Sequence, residues 1–414
     1  MKFTIEVKEL NRVLGVAAIV PPKQITQQGG SGYLFSVRGG HCYVYSQDKL
    51  HMVRADCEIT DVEGEGEFVY PSVHVPEFVQ LEGKIEFEYD AGDPKHVVRY
   101  RSDTGDACER SSYEPDMIEK CDDSLAGAKT SYSVPSGVLR EALGMANVYS
   151  AKATDTRVDD MYKTIQVFDG SKPEWVKGNG VLFSADSTRA FYFDCDKFRD
   201  KGFAVHGQHL QFVSNFLPKC EGDVLVRVGE RMTFIEALGG VNKGAVLGWT
   251  HQVKTHPKYA YWPLENDGFV LTLDRDKVLR KLRYLRATLV STKNKIRVVY
   301  DNKTSSANGE LRFEMAESLS KAHSAGLPII SREIKEDRGF SVGANIDHLI
   351  DLVEPVKCNE VAMRFCILTQ GSKEVMLFRT VDAFGLDAEG KVTTDLTKEG
   401  VSKCRVTRFM PSKE

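Results

Sequence analysis

One stretch of this 414-residue chain concentrates residue types able to do chemistry, Asp274–Leu289, DRDKVLRKLRYLRATL. At 100° per residue, Val278, Leu282, Leu285 and Leu289 fall on one stripe, the pattern of an amphipathic helix seated on a core. Arg275, Lys277, Arg280, Lys281, Arg283 and Arg286 take the flanks and the opposite face. Against Asp276, the one acid of the helix body, they give a local charge of +5. The whole chain, with 55 basic and 59 acidic residues, carries −4. A positive helix on a mildly negative protein suits a polyanionic partner, with acid elsewhere limiting indiscriminate binding. Taken alone, a solvated helix face is the commoner explanation of such a pattern.

Other chemistries find less support. Asp155, Asp159 and Asp160 form one carboxylate group and Asp194 with Asp196 another, and nucleases gather carboxylates in this way for magnesium. Here they fall at strand ends and in a loop without a Lys/His/Glu partner pattern, so solvated surface acids explain them more simply. A Walker loop, a GxSxG elbow and a dinucleotide fingerprint are all missing from the sequence. The nine cysteines are odd in number and scattered without CxxC, and the ten histidines lack HExxH spacing. Reduced, mostly buried thiols are expected, with no metal or other cofactor. The 42% apolar and 28% charged content describes a soluble globular protein. No apolar run is long enough for a bilayer and MKFTIEVKEL lacks a signal-peptide pattern, so a cytoplasmic protein without a membrane partner is expected.

The length calls for two to four domains. Residues 3–20 read as a strand running into a helix whose buried stripe is Leu10, Val13, Leu14 and Ala17, with Lys8 and Arg12 beside it. EFVYPSVHVPEFVQL repeats strand then helix, the helix beginning near Pro71. The same order recurs twice. YSVPSGVLREALGMANVY, with Val138, Leu139, Leu143 and Ala146 inward, is followed by FAVHGQHLQFVSNFLPKCEGDVLVRV; the basic helix is followed by FSVGANIDHLIDLVEPVKCNEVAMRFCIL. The first strand–helix of each round begins near Phe3, Tyr132 and Phe269, 129 and 137 residues apart. The second begins at Phe68, Phe203 and Phe340, 135 and 137 apart. Periods of a whole domain point to tandem duplication rather than a solenoid. The expected division is 1–126, 127–264 and 265–414, with boundaries in Asp122–Lys129 and around Pro263–Gly268, both rich in turn formers. Each domain is expected to be α+β, two helices on one face of mostly antiparallel strands. Units joined by one repeated rotation close into a ring or run on as a filament. Two such chains would close a ring of six domains, helices inside.

With those elements in order, the chain resembles the sliding clamp family, the beta subunit of bacterial DNA polymerase III and its viral relatives, over nearly its full length. The resemblance is carried by the MKFTIEVKEL opening, FSADSTRAFYF (183–193), HPKYAYWP (256–263), VGANIDHLIDLVEPVKCNEVAMRF and the terminal Phe409-Met410-Pro411. It implies three tandem clamp domains in a ring-shaped homodimer, not an enzyme, that encircles double-stranded DNA without sequence preference and tethers a DNA polymerase after placement by a clamp loader. Such a ring holds DNA through backbone charge and shape. The residues expected at the backbone are Lys8, Arg12, Lys23, Arg140, Lys152 and Arg157, with Lys277, Arg280, Lys281, Arg283 and Arg286 on the basic helix. The family's shallow apolar pocket for partner peptides implies walls from Ala185, Asp186, Ser187, Thr188, Arg189, Pro263, Met410 and Pro411. The chain departs from the family's pattern where ADSTRA lacks Gly-His and where the tail ends Ser412-Lys413-Glu414 rather than apolar. A charged rim shifts which peptide fits, and the divergence suits a phage source. Lys303–Gly326 and Ala383–Lys403 look longer than the family needs and read as surface insertions with no assignable role. Two alternatives stand beside this reading. A magnesium nuclease would need the carboxylate groups above, and a ring-forming structural viral protein would leave the basic helix without a use.

Overall fold

A computed structural model of the chain describes residues 1–24, 30–93, 95–128, 130–167, 181–186, 188–198, 202–250, 268–289, 294–302, 308–315, 326–335, 338–370, 373–393 and 395–411. All six expected strand–helix starts are present. Lys2–Glu6 runs into α1 (Val7–Ala17), and Gly66–Pro71 into a 3-10 helix, Ser72–Gln80. After the short helix α2 (Asp122–Ala126), Thr130–Pro135 leads into α3 (Ser136–Asn147) and Phe203–His206 into α4 (Gly207–Phe216). Phe269–Asp274 leads into α5 (Arg275–Thr288) and Phe340–Asn345 into α6 (Ile346–Val353). The second start of the first round is 3-10 rather than α because Pro76 sits inside it, lacking the N–H an α-helix requires. No helix of the described residues is long and apolar enough to cross a membrane.

The structure forms two compact units that do not follow the three sequence rounds. The first comprises residues 1–141, 201–253 and 387–391; the second comprises 142–200, 254–386 and 392–414. In the first unit, an antiparallel sheet runs Thr60–Glu63, Lys2–Glu6, Lys84–Tyr89, Val97–Ser102, Ala107–Ser111. A second sheet of eight strands mixes two rounds. Its order is Thr130–Pro135, Asp223–Val228, Met232–Ala237, Val246–Thr250, His51–Cys57, His41–Gln47, Gly32–Arg38, Gly66–Pro71. The join is a backbone ladder, Leu247 opposite Val53 and Trp249 opposite His51, so neither round leaves an open strand edge there. Between the sheets and α1 lies an aromatic core in which Phe3 stacks on Phe87 at 5.3 Å and Phe35 on Phe68 at 4.9 Å. The expected stripe of α1 is buried in full, with Val7 and Val16 added.

Within the segment expected as a boundary, Asp122 is tied to the first unit. Asp122, at the start of α2, accepts hydrogen bonds from Arg38 (2.8 Å), Tyr45 (2.6 Å) and Arg54 (2.7 Å). Nearby, a chain of polar side chains crosses the join between rounds: His209 Nδ1 lies 2.7 Å from His51 Nε2, whose Nδ1 is 2.9 Å from Asp48. Both imidazoles are buried. Burial, then the neighbouring His51 and His206, push the pKa of His209 down to about 3. A base with a depressed folded pKa binds fewer protons than the unfolded chain below pH ~6.5, so its burial stabilises fully above that pH and progressively less beneath it. Stability should fall by about 1.4 kcal/mol per pH unit between ~6.5 and ~5 from this group. Urea unfolding of wild type and His209→Phe across that range checks this: the wild-type slope should exceed that of the variant by roughly one proton. Equal slopes would remove His209 as the cause.

In the second unit, eight strands form antiparallel ladders in the order Thr164–Val167, Val181–Ala185, Ala190–Cys195, Ser402–Pro411, Lys373–Leu386, Glu360–Gln370, Phe269–Asp274, Ser331–Ile334. A further sheet runs Leu327–Pro328, Glu310–Met315, Lys295–Asp301, Phe340–Asn345. The apolar faces of α5 and α6 pack into one core with these sheets, including Leu282, Leu285, Leu349, Leu352, Phe365 and Phe378.

Both stretches expected to be surface insertions carry paired strands. Within Lys303–Gly326, Leu311 and Phe313 are fully buried on a paired strand. Within Ala383–Lys403, Ala383–Leu386 pairs with Ser402–Arg405. Residues 387–391 of the intervening turn belong to the first unit, where the Glu389 carbonyl accepts from Arg140 Nη2 at 2.8 Å. A Cβ on Gly137 would stand 2.0 Å from the Glu389 carbonyl carbon, so only glycine admits this approach.

Candidate nucleic-acid interface and partner site

The helix α5 is fixed at its start by Asp274, whose carboxylate accepts from the Lys277 N–H at 2.9 Å. Val278, Leu279, Leu282 and Leu285 are buried, so the stripe is one residue wider than the period alone gives, and Leu289 is half-buried beyond the helix end. The opposite face is less positive than the sequence implies, because α6 and the residues after it supply acid. Arg286 Nε donates to Asp347 Oδ1 at 2.6 Å, and Arg283 pairs with Glu354. Arg275 reaches Asp276 at 3.0 Å and the Glu354 carbonyl at 2.5 Å, and Lys277 lies 3.7 Å from Asp274. Arg280, exposed, and Lys281, half-buried, have no ion-pair or hydrogen-bond partner among the described residues. Exposed pairs are individually weak, so Arg283 and Arg286 remain exchangeable toward a phosphate, but Arg280 and Lys281 are the cations already free.

The other expected backbone contacts divide. Lys8 and Lys152 are exposed and Lys23 is half-buried, its N–H on the Gln47 carbonyl at 2.7 Å. Arg157 is exposed and paired with Asp155 at 2.9 Å; that arginine draws the Asp155 carboxyl down to about 2. Arg140 is exposed and donates to the Glu389 carbonyl, and Arg12 is half-buried and engaged within the protein. Arg12 donates to both Glu9 oxygens at 2.6 Å and to the carbonyls of Val241 (2.8 Å) and Asp56 (2.6 Å), bracing α1. A guanidinium engaged on so many sides has little left for DNA. Two of the five acids weighed for magnesium are likewise paired, Asp155 with Arg157 and Asp160 with Lys163 at 3.0 Å. Among the described residues no group of three or more His, Cys, Asp or Glu side chains is placed to hold a metal ion.

A second cluster lies in the second unit. The Ala185–Ala190 turn is tied by Asp186, whose Oδ1 accepts from the N–H groups of Thr188 and Arg189, both at 2.7 Å. The Asp186 Oδ2 accepts from Arg189 Nε at 2.9 Å and Nη2 at 2.8 Å. Arg189 also pairs with Asp351, donates to the Val148 carbonyl at 3.1 Å and stands 5.5 Å over the Tyr149 ring. Tyr149 stacks on Phe191 at 5.3 Å, and its hydroxyl donates to the Asp351 carbonyl at 2.6 Å. Burial raises the Asp351 pKa despite Arg189, with Asp347, Glu354 and Asp186 adding to the effect.

Strand register brings the expected tail beside this turn. Phe409 is opposite Ala190 and Arg379, Met410 opposite Phe378, and Pro411 opposite Leu377. Ala185 and Met410 are fully buried, and Pro411 is half-buried. Ser187 and Pro263 lie outside the described residues. The surroundings are therefore not the apolar surface expected from the resemblance: Arg189, Asp186 and Asp351 make them ionic. Asp351, Tyr149 and Arg408, which lies beneath them, are absent from the sequence expectation. Arg408 had a visible signal, a cation within the otherwise apolar tail strand VTRFMP; the pairing of Asp351 with Arg189 across 162 residues had none.

No family profile and no curated protein matches the chain. Solved structures do. DNA polymerase III subunit beta from Pseudomonas aeruginosa matches with a TM-score of 0.69 at 13% identity, covering 100% of both chains. The beta subunit from Thermotoga maritima matches at 0.66 and 14%, covering 100% of this chain and 99% of that one. The Helicobacter pylori beta clamp in complex with carprofen matches at 0.69 and 12%, covering 100% of both. The chain thus has the fold of bacterial beta sliding clamps from end to end, α+β with antiparallel sheets.

Proposed function

We propose that this protein is a DNA polymerase processivity factor: a non-enzymatic sliding clamp, three tandem clamp domains per chain (1–126, 127–264, 265–414), two chains per ring. The observation that carries the reading is likeness to clamps over the full length of both chains, joined to a helix, α5, whose Arg280 and Lys281 have no partner among the described residues. Cations that meet phosphates without reading bases allow a ring to slide. Lys8, Lys23, Lys152, Lys277, Arg283 and Arg286 supplement them. The turn at Asp186–Arg189 with the tail strand forms the partner site, where a cytoplasmic polymerase and a loader dock by short peptides. That the compared structures include one holding carprofen and one bound to griselimycin supports a ligand-accepting surface on this fold. Sedimentation equilibrium tests the assembly: a species of twice 46.3 kDa is expected. A monomer at every concentration, and also with a loader and DNA present, contradicts it.

A further inference from the structure

Among the described residues, one Phe, Tyr or Trp side chain stands exposed, Tyr284, and it lies on α5. Its ring is 56% exposed and has no ring, cation or hydrogen-bond partner among those residues. Helical spacing puts Arg280 at i−4 and Lys281 at i−3, so the ring shares a face with the two free cations. On its other side come Ala287, exposed, and Thr288, whose hydroxyl is turned to the Leu285 carbonyl at 2.9 Å. Neither is large enough to cover the ring. Val278, Leu282 and Leu285 hold the helix to its core from the opposite face, so ring and cations are presented on a rigid element. An isolated exposed apolar side chain is ordinary. What sets Tyr284 apart is its company. Duplex DNA offers this face phosphates, but its bases are closed against one another. An unpaired strand offers phosphates and open base faces together, and stacking of a base on an aromatic ring accepts any base.

We infer that α5 also binds single-stranded DNA, Tyr284 stacking on an unpaired base while Arg280 and Lys281 hold the phosphates beside it. Arg283 and Arg286, whose surface pairs with Glu354 and Asp347 are exchangeable, take further phosphates along the strand. The contact needs no opening, because every group in it already faces solvent or its edge. It gives a face that slides along paired DNA a preference for the place where pairing ends. The inference rests on the proposal that α5 meets DNA and is independent of ring closure.

The test is fluorescence anisotropy of the full chain at low salt, on a labelled oligo(dT) and on a duplex of equal length. Tyr284→Ala should weaken binding to the single strand about tenfold and to the duplex less than about twofold. Tyr284→Phe should bind both as wild type does, since stacking uses the ring and not the hydroxyl. A strand of abasic residues keeps the phosphates and removes the stacking surface, so wild type and Tyr284→Ala should bind it equally. Melting of Tyr284→Ala at the wild-type temperature confirms that the exposed ring does not support the fold. Equal losses on strand and duplex, or no loss on either, would overturn the stacking role while leaving α5 at the duplex. Wild type that binds the duplex but not the single strand would overturn it in the same way. If wild type binds neither DNA, the cations of α5 serve another polyanion, and the proposal that α5 meets DNA fails together with this inference.

Discussion

Reversing the two free cations of α5 together, Arg280→Glu with Lys281→Glu, should weaken binding to a short duplex by roughly two orders of magnitude at moderate salt. Each phosphate contact releases counterions, so losing two should flatten the plot of log affinity against log salt by about 2 for each chain. Arg280→Lys should retain most of the binding, since a sequence-independent backbone contact needs charge rather than a fork. The choice of residues matters. Arg283→Glu would place a carboxylate against Glu354, and Arg286→Glu against Asp347, so either loss of binding would be confounded with loss of folding. Arg280 and Lys281 have no such partner among the described residues. Fluorescence anisotropy on a labelled duplex reads the effect, with melting of the variant confirming that it folds. An unchanged salt slope would mean α5 does not meet DNA.

Asp122→Ala should destabilise the first unit by about 3 kcal/mol. One carboxylate serves three donors, Arg38, Arg54 and Tyr45, and removing it leaves Arg54 and the fully buried Tyr45 facing each other without an acceptor. Burial disfavours the charged carboxylate, yet the hydrogen bonds from Tyr45, Arg38 and Arg54 outweigh it and hold the pKa below its ordinary value. A depressed folded pKa contributes stability that is present above the unfolded value near ~4 and is lost as pH falls through the folded one. The deficit of Asp122→Ala should therefore be full at pH 7 and shrink below pH ~4. Urea unfolding at several pH values measures it. A deficit under about 0.5 kcal/mol at pH 7 would place Asp122 among ordinary surface acids.

The six strand–helix starts were readable because each couples two periods, alternation and then the 3.6-residue stripe, and Leu10, Val13, Leu282 and Leu285 are buried as those periods require. What the periods do not encode is pairing between distant strands. The ladder joining Val246–Thr250 to His51–Cys57, and the one joining Ala190–Cys195 to Ser402–Pro411, make continuous sheets out of separate rounds. The compact units consequently differ from the sequence repeat. Charge shows the same limit. Counting residues along α5 gives +5, but Asp347 and Glu354 arrive from a helix and a turn some seventy residues on and cancel much of it. Arg12 looked like an exposed cation one turn along α1, and only the fold reveals the carbonyls of Asp56 and Val241 that engage it. Arg408 shows the opposite case: a cation in a strand, whose complete burial is visible only once its surroundings are in place.

The central claim is topological, and the most direct measurement is retention on closed circular against linearised DNA in rising salt, after loading by the cognate loader. Electrostatic binding falls steeply with salt, whereas a ring around a circle has no end to leave by. The protein should stay on circles through salt concentrations that strip it from linear molecules, and cutting the circle should release it. Equal, salt-sensitive loss from both forms, with the loader active, would contradict that claim and reduce α5 to a surface that merely adheres to DNA.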